Sequence, residues 1–357
     1  MEITIENILT TISKIREEIG HENIEPDITD VIYDDEKKEL LIITSDRPEK
    51  SLVIGKGGWV VGKLKEELKV NQIHVEAYSD ILIRKYRMNL AHIRLEQVMA
   101  NYDEKEKKPL SNLYELLKRR IKNPYSLDVV LNDIKHDLKL NKSPSVGPNS
   151  VSSEYPKTLV ALSGGVDSSF SLIIADMMEF NPIVVTVNPG DIILPKYFRE
   201  RVEKLSEKLD VGHQYLDVDS KEVVEGALEG RYHPCGRCSK LIEKAVQDYA
   251  KKINAKFVIF GDLLATGAQS FVYNDEIVRI NLPAMLSVTK GETKSLAGKY
   301  GVSSVGGYGC PLLAEVKKKH SQMNRFSVQR ILRETRAGIL EPGEALDMVM
   351  SLCRNRD

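Results

Sequence analysis

The sequence predicts an α/β protein: a doubly wound, mostly parallel sheet preceded by a smaller α+β unit. Three observations lead there. After residue 157, short bounded apolar runs alternate with helical periodicity, the pattern of a parallel sheet wrapped by helices. A stretch rich in Ser, Pro and Gly, 141–157, breaks the chain. Ahead of it, the order is helix, strand, strand, short helix, Gly-rich loop, helix, strand. At 357 residues the chain exceeds one ordinary core, so two or three domains are expected.

In the N-terminal part, Ile5, Ile8, Leu9, Ile12, Ile15 and Ile19 make one apolar helical stripe. Strand-like runs Ile28–Tyr33 and Glu39–Ser45 follow, joined through Asp34-Asp35-Glu36. The loop Gly55-Lys56-Gly57-Gly58 leads into a helix ending near Leu68, and Gln72–Tyr78 reads as the closing strand. Trp59 and His74 read as core or edge residues. From Ile81 to Leu140 the pattern is helical and basic, with eleven Lys/Arg against five Asp/Glu over 84–122.

Composition, 42% hydrophobic and 29% charged with a net charge of −1, suits a soluble globular protein and excludes indiscriminate coating of nucleic acid. No apolar run approaches the roughly 18 residues of a membrane span, so no membrane partner is expected. The acidic start Met1-Glu2-Ile3-Thr4-Ile5-Glu6 lacks the basic region of a signal peptide, which points to the cytoplasm. There, four cysteines predict metal or redox chemistry ahead of structural disulfides.

The C-terminal part has strand-like runs at Thr158–Leu162, Ile183–Val187, His213–Leu216 and Phe257–Phe260. The first ends in Ser163-Gly164-Gly165-Val166-Asp167-Ser168-Ser169, and a helix begins at once with Val166, Phe170, Ile173 and Ile174. Two glycines at a strand-to-helix turn let the backbone approach an anion, which the helix N-terminus attracts. Ser163, Ser168 and Ser169 offer hydroxyls to phosphate. Asp167 would repel phosphate directly, so its role is to hold Mg2+ or to position backbone donors. No Gly-Lys-Ser/Thr follows, which excludes a Walker loop.

Ser-Gly-Gly-x-Asp-Ser-Ser after a strand resembles the pyrophosphate-loop (PP-loop) motif of N-type ATP pyrophosphatases. That resemblance implies a PP-loop/HUP-like fold and transfer of AMP to a carbonyl oxygen with release of pyrophosphate. It further implies that Gly164 and Gly165 cradle the leaving group, while Leu162, Val187 and Asn188 lie near adenosine at the strand ends.

In His233-Pro234-Cys235-Gly236-Arg237-Cys238 two thiols are within reach of one metal, and Cys310 follows 72 positions later. The residues alone leave inert thiols, a zinc site completed by His233 or Cys353, and a persulfide pair all open. A PP-loop followed by Cys-x-x-Cys and a later lone Cys resembles the iron–sulfur-dependent tRNA thiouridine synthetases. That resemblance implies a [4Fe–4S] cluster on Cys235, Cys238 and Cys310, with one iron open to sulfur. Gly261-Asp262 stands where that family has Gly-x-Asn-x-Asp-Asp, which makes Asp262 a catalytic candidate although the Asn and the Asp pair are missing. Lys240 is a candidate for polarising a tRNA carbonyl.

The loop Gly55, Lys56, Gly57, Gly58 in its element order resembles a type II KH domain, which implies a clamp on single-stranded RNA. The basic stretches 84–122 and 317–336, the latter with seven Lys/Arg and one Glu, could contact tRNA phosphates. The resulting organisation is a KH-like domain (1–80), a basic helical connector (81–140), a linker (141–157), a PP-loop domain with the cysteines (158–315) and a basic helical tail (316–357). The expected function is a tRNA sulfurtransferase using ATP, Mg2+ and a [4Fe–4S] cluster. Its partners would be tRNA and a sulfide source or sulfur-carrier protein, with a homodimer left open. The rival readings are an ammonia-using amidating synthetase, a persulfide-based thiolase without a cluster, and a non-catalytic RNA-binding nucleotide sensor.

Overall fold

The computed structural model describes residues 3–137, 156–274, 277–304 and 309–354. The chain divides into two units, Met1–Tyr86 and Arg87–Asp357. The expected linker lies outside the described residues as far as position 155.

In the first unit, Thr4 caps the helix α1 (Ile5–Glu18), accepting a hydrogen bond from the Asn7 N–H. The helical spacing of Ile8, Ile12 and Ile15 buries one stripe against Leu40, Ile42, Val53, Val60 and Leu64. Strand β1 (Ile28–Asp34) pairs antiparallel with β2 (Glu39–Thr44). β2 pairs parallel with β3 (Gln72–Ala77), and the order is β1-β2-β3. Between the last two strands, α2 (Arg47–Ile54) starts on an Asp46 cap and α3 (Trp59–Leu68) follows the glycine loop. This element order is the one the sequence predicts. Helix α4 (Tyr78–Met99) contains the unit boundary.

The second unit begins differently from the expected connector. Helices α5 (Glu104–Lys122) and α6 (Leu127–Asp137) send Leu113, Leu116, Leu117, Val130 and Leu131 into the same core as Phe170 and Phe257. Even Arg120 is fully buried, donating to Glu292 at 2.6 Å. The basic residues marked a stretch whose other face is core.

Beyond the linker come β4 (Thr158–Ala161), α7 (Val166–Met177), β5 (Pro182–Asn188), α8 (Lys196–Leu209), β6 (His213–Asp217), α9 (Lys221–Leu228), α10 (Pro234–Lys252) and β7 (Phe257–Phe260). Next are β8 (Phe271–Asn274), β9 (Ile277–Asn281), α11 (Leu282–Met285) and α12 (Lys290–Lys299). The chain closes with α13 (Pro311–Lys319), α14 (Asn324–Arg336) and α15 (Pro342–Arg354). Among the described residues, six strands form one sheet in the order β6-β5-β4-β7-β9-β8, with only β8 antiparallel to its neighbour.

Strand alternation sends Val160, Ile259 and Ile280 to the face that α7 covers, and Leu159, Val258 and Phe260 to the face of α10. The sequence reading found β4 to β7 but not β8 and β9, each only four or five residues long and joined across Asp275-Glu276. Strand order reverses at β4, flanked by β5 and β7. A crevice at its carboxyl end is therefore the natural ligand site of this topology.

Candidate active site

The turn after β4 lies in that crevice. Gly164 has φ +76°, and a Cβ there would meet the Phe198 carbonyl oxygen at 2.6 Å, so only glycine fits. Gly165 is the N-cap of α7 and offers no side-chain cap. The first N–H groups of α7 therefore have no helical partners and form the positive end of its dipole. Ser168 braces the turn: its Oγ accepts from Ser163 N–H at 3.1 Å and donates to the Gly165 carbonyl at 3.1 Å. Ser163 Oγ lies 3.0 Å from Ser168 Oγ. Ser169 is buried, with an Oγ that has no partner among the described residues. Ser168 thus shapes the anion cradle from within, and Ser163 stands nearer its surface.

Asp167 is engaged as well. It forms an ion pair with Lys290 and accepts from Thr293 Oγ1 at 3.2 Å. Both partners lie on the first turn of α12, which a Thr289–Glu292 capping box starts. Asp167 thereby ties α7 to α12. Sequence reasoning missed Lys290 and Thr293. The signal that could have found them is the capping box, Thr289 followed three residues later by Glu292, which fixes Lys290 at a helix start.

Leu162 and Val187 are nearly buried at the ends of β4 and β5, linked through Leu162 N–H to the Val185 carbonyl at 2.9 Å. Asn188 donates to Asp217 at 2.7 Å and accepts from Gly190 N–H at 3.3 Å. On the other side of β4, Gly261 packs directly on the first turn of α7: an added Cβ would come within 2.7 Å of Ser168 N. Its neighbour Asp262 accepts from Arg279 at 3.1 Å, and Arg279 also pairs with Glu243. Lys240 is exposed on α10.

The three cysteines all stand at helix N-termini. Cys235 and Cys238 are in the first turns of α10, and Cys310 is the N-cap of α13. Burial pushes the Cys238 thiol up to about 11, with the neighbouring Cys310 and Cys235 sulfurs adding to the rise. Burial and Cys310 also raise Cys235, while Arg330 and Lys317 pull it back. Burial, then Lys317 and Arg330, hold His233 below its ordinary range, and its Nε2 has no partner among the described residues. No three His, Cys, Asp or Glu side chains among the described residues stand in a metal-binding arrangement.

The donor chemistry nevertheless fits a soft, anionic centre. Cys310 raises both half-buried neighbours Cys235 and Cys238, two helix N-termini favour negative charge, and the flanking cations are Lys317 and Arg330. Cys353 is exposed on α15.

In the first unit, Gly55 (φ +73°) could not carry a Cβ without meeting Val60 at 2.3 Å. Gly57 and Gly58 also adopt positive φ, and Lys56 is exposed between Gly55 and Gly57. Trp59, expected in a core or at an edge, is 61% exposed. It borders a largely apolar cavity of about 480 Å³ with Ile19, His21, Lys56 and Gly57. Its indole breaks the periodicity of α3, whose buried residues are Val60 and Leu64; that offset was the available signal.

A glycine turn that opens onto a helix N-terminus thus stands at the reversal point of the parallel sheet. No family model matches the chain. It belongs to the same family as the uncharacterized protein MJ1638 of Methanocaldococcus jannaschii, being 42% identical over 197 residues, 55% of this chain and 75% of that protein. More distant relatives are the tRNA-specific 2-thiouridylase MnmA of Pelotomaculum thermopropionicum and the tRNA-cytidine(32) 2-sulfurtransferase of Alcanivorax borkumensis. The first is 27% identical over 241 residues, covering 55% of this chain and 62% of the relative. The second is 28% identical over 142 residues, covering 37% and 47%. The chain thus spans less than two thirds of either tRNA-modifying relative. Among the described residues, no helix is long and apolar enough to cross a membrane.

Proposed function

We propose that the protein is a cytoplasmic tRNA sulfurtransferase that activates a pyrimidine carbonyl with ATP and replaces its oxygen by sulfur. The observation that carries this reading is the presence, within one unit, of the glycine turn at Gly164–Gly165 and of Cys310 close enough to raise the Cys235 and Cys238 thiols. Two relatives that place sulfur on tRNA support it.

The pyrimidine oxygen attacks the α-phosphorus of ATP, and the bond to the β-phosphate breaks. The α7 N–H groups hold the departing pyrophosphate, which Gly164 admits close to the backbone. Lys290 keeps Asp167 and the first turn of α7 in place. Leu162 and Val187 give the adenosine an apolar seat. Sulfide then adds to the activated carbon, and AMP leaves with the electrons of the C–O bond. A [4Fe–4S] cluster held by Cys235, Cys238 and Cys310 would supply an iron site open to sulfide. Lys240, exposed on the cysteine helix, draws charge from the carbonyl in this reading. Asp262, through its pair with Arg279, orders the turn beside the cradle.

The assay follows AMP and pyrophosphate, expected in equal amounts and only when tRNA and sulfide are both present. Turnover with ammonium in place of sulfide would instead identify an amidating enzyme.

For RNA, the glycine loop with Lys56 serves as a KH-like backbone clamp, and Trp59 provides a stacking face beside it. Base stacking on an aromatic ring contributes about 1–3 kcal/mol. Trp59→Ala, at an exposed position, is therefore expected to weaken single-stranded RNA binding by roughly tenfold with no loss of thermal stability. Filter binding together with a melting curve checks both.

A further inference from the structure

Beside the cradle, the α10 face of the sheet carries a cleft of about 720 Å³, within the usual range for small-ligand sites. Its apolar walls are Val258 and Phe260 of β7, Ile277 and Val272 of the β9 and β8 strands, and Ala265 of the β7–β8 connection, while Glu243, Gln247, Lys251 and Gln269 supply polar groups at its edge. Two polar residues of β9, Arg279 and Asn281, line it as well. Being two apart on a strand, they share this face, while Val278 and Ile280 enter the opposite core.

Asn281 is only 1% exposed, yet its Oδ1 has no hydrogen-bond partner among the described residues. It also stands at the N-cap of α11 without making a side-chain cap bond, the usual use of asparagine there. Arg279 spends its terminal nitrogens on Glu243 and Asp262, while its Nε is buried with no partner among the described residues. The guanidinium lies 4.4 Å over the Phe260 ring, which fixes its plane. A buried acceptor and a buried donor left open beside one cleft are each unfavourable. A ligand edge presenting an N–H next to a carbonyl satisfies both.

We infer that this cleft receives the acceptor base and that its occupant is a uracil ring. The ring's N3–H donates to Asn281 Oδ1, and a flanking carbonyl accepts from Arg279 Nε. The ring faces pack between the apolar walls. The second carbonyl, across N3, is left for activation. The location suits this task. Phe260 and Asp262 flank Gly261, which touches the first turn of α7, and Glu243 follows Cys238 by five residues on α10, roughly 7–8 Å along the helix. The inference rests on the sulfurtransferase reading for its choice of base and on the two orphaned atoms for its geometry.

The test uses ligand-observed NMR titration of the full chain with uridine and with 3-methyluridine, which lacks the N3–H. Neither ATP nor sulfide is needed. Uridine should bind about tenfold more tightly than 3-methyluridine, because methylation removes the donor and leaves Oδ1 unsatisfied. Asn281→Leu should erase that preference without lowering the melting temperature, since it removes an orphaned polar atom. Ala265→Trp, which fills the cleft without touching the ion pairs, should abolish uridine binding. Equal binding of both nucleosides, or unchanged uridine binding in Ala265→Trp, overturns the assignment even if tRNA becomes thiolated. The expected selectivity without any thiolated tRNA would uphold the pocket and remove the sulfurtransferase reading.

Discussion

Gly164→Ala reduces formation of AMP and pyrophosphate by at least about a hundredfold, the scale on which removing preorganised oxyanion donors acts. The cause is local. At φ +76° an added Cβ would lie 2.6 Å from the Phe198 carbonyl oxygen, so either the turn or the start of α8 must move. Moving the turn misdirects the N–H groups of α7 and breaks the brace from Ser163 N–H to Ser168 Oγ. The stability cost is expected at about 1–3 kcal/mol, too little to unfold a unit with this core. Gly165→Ala is the control. Its Cβ would meet only Ser163 Oγ, at an ordinary 3.5 Å and in extended backbone, so its melting temperature should equal that of the parent. A Gly164→Ala protein that forms AMP at the parent rate would show that the turn is not the nucleotide cradle.

Cys235→Ala and Cys310→Ala are expected to abolish sulfur transfer while leaving ATP binding intact. Each removes a thiol at a helix N-terminus, and one remaining pair cannot hold a three-thiolate centre. Protein purified without oxygen should be brown, carry about four iron per chain and bleach in either variant. Cys353→Ala, on an exposed helix face, should change nothing. A colourless protein containing zinc would instead assign the thiols to a closed Cys3His site, for which the unpartnered His233 Nε2 is the available fourth donor. Loss of activity on alkylation in an iron-free active protein would assign them to persulfide chemistry.

Much of this was legible in the sequence because it is local. The run Thr158–Ala161, the glycine turn and the periodicity of α7 are contiguous, and backbone preference alone sets their order. The Cys-x-x-Cys spacing likewise needs only one helix turn. The hidden parts are those that tertiary packing assembles. Lys290 and Thr293 reach Asp167 from 123 and 126 residues away, and no periodicity encodes that meeting. The short hairpin of β8 and β9 carries too few residues to read as strands, so Arg279 and Asn281 went unnoticed with it. The buried stripe of α5 was masked by its lysines and arginines, which alternate with the leucines in sequence and of which Arg120 itself enters the core. Trp59 misled in the opposite sense, since a large aromatic residue usually packs inward.

Nucleoside mass spectrometry of tRNA after incubation with the anaerobically purified protein, ATP and sulfide tests the central claim most directly. The account predicts a pyrimidine nucleoside with sulfur in place of one oxygen, formed only with ATP and absent with Gly164→Ala. ATP-dependent release of AMP and pyrophosphate that leaves every tRNA nucleoside at its starting mass would contradict it.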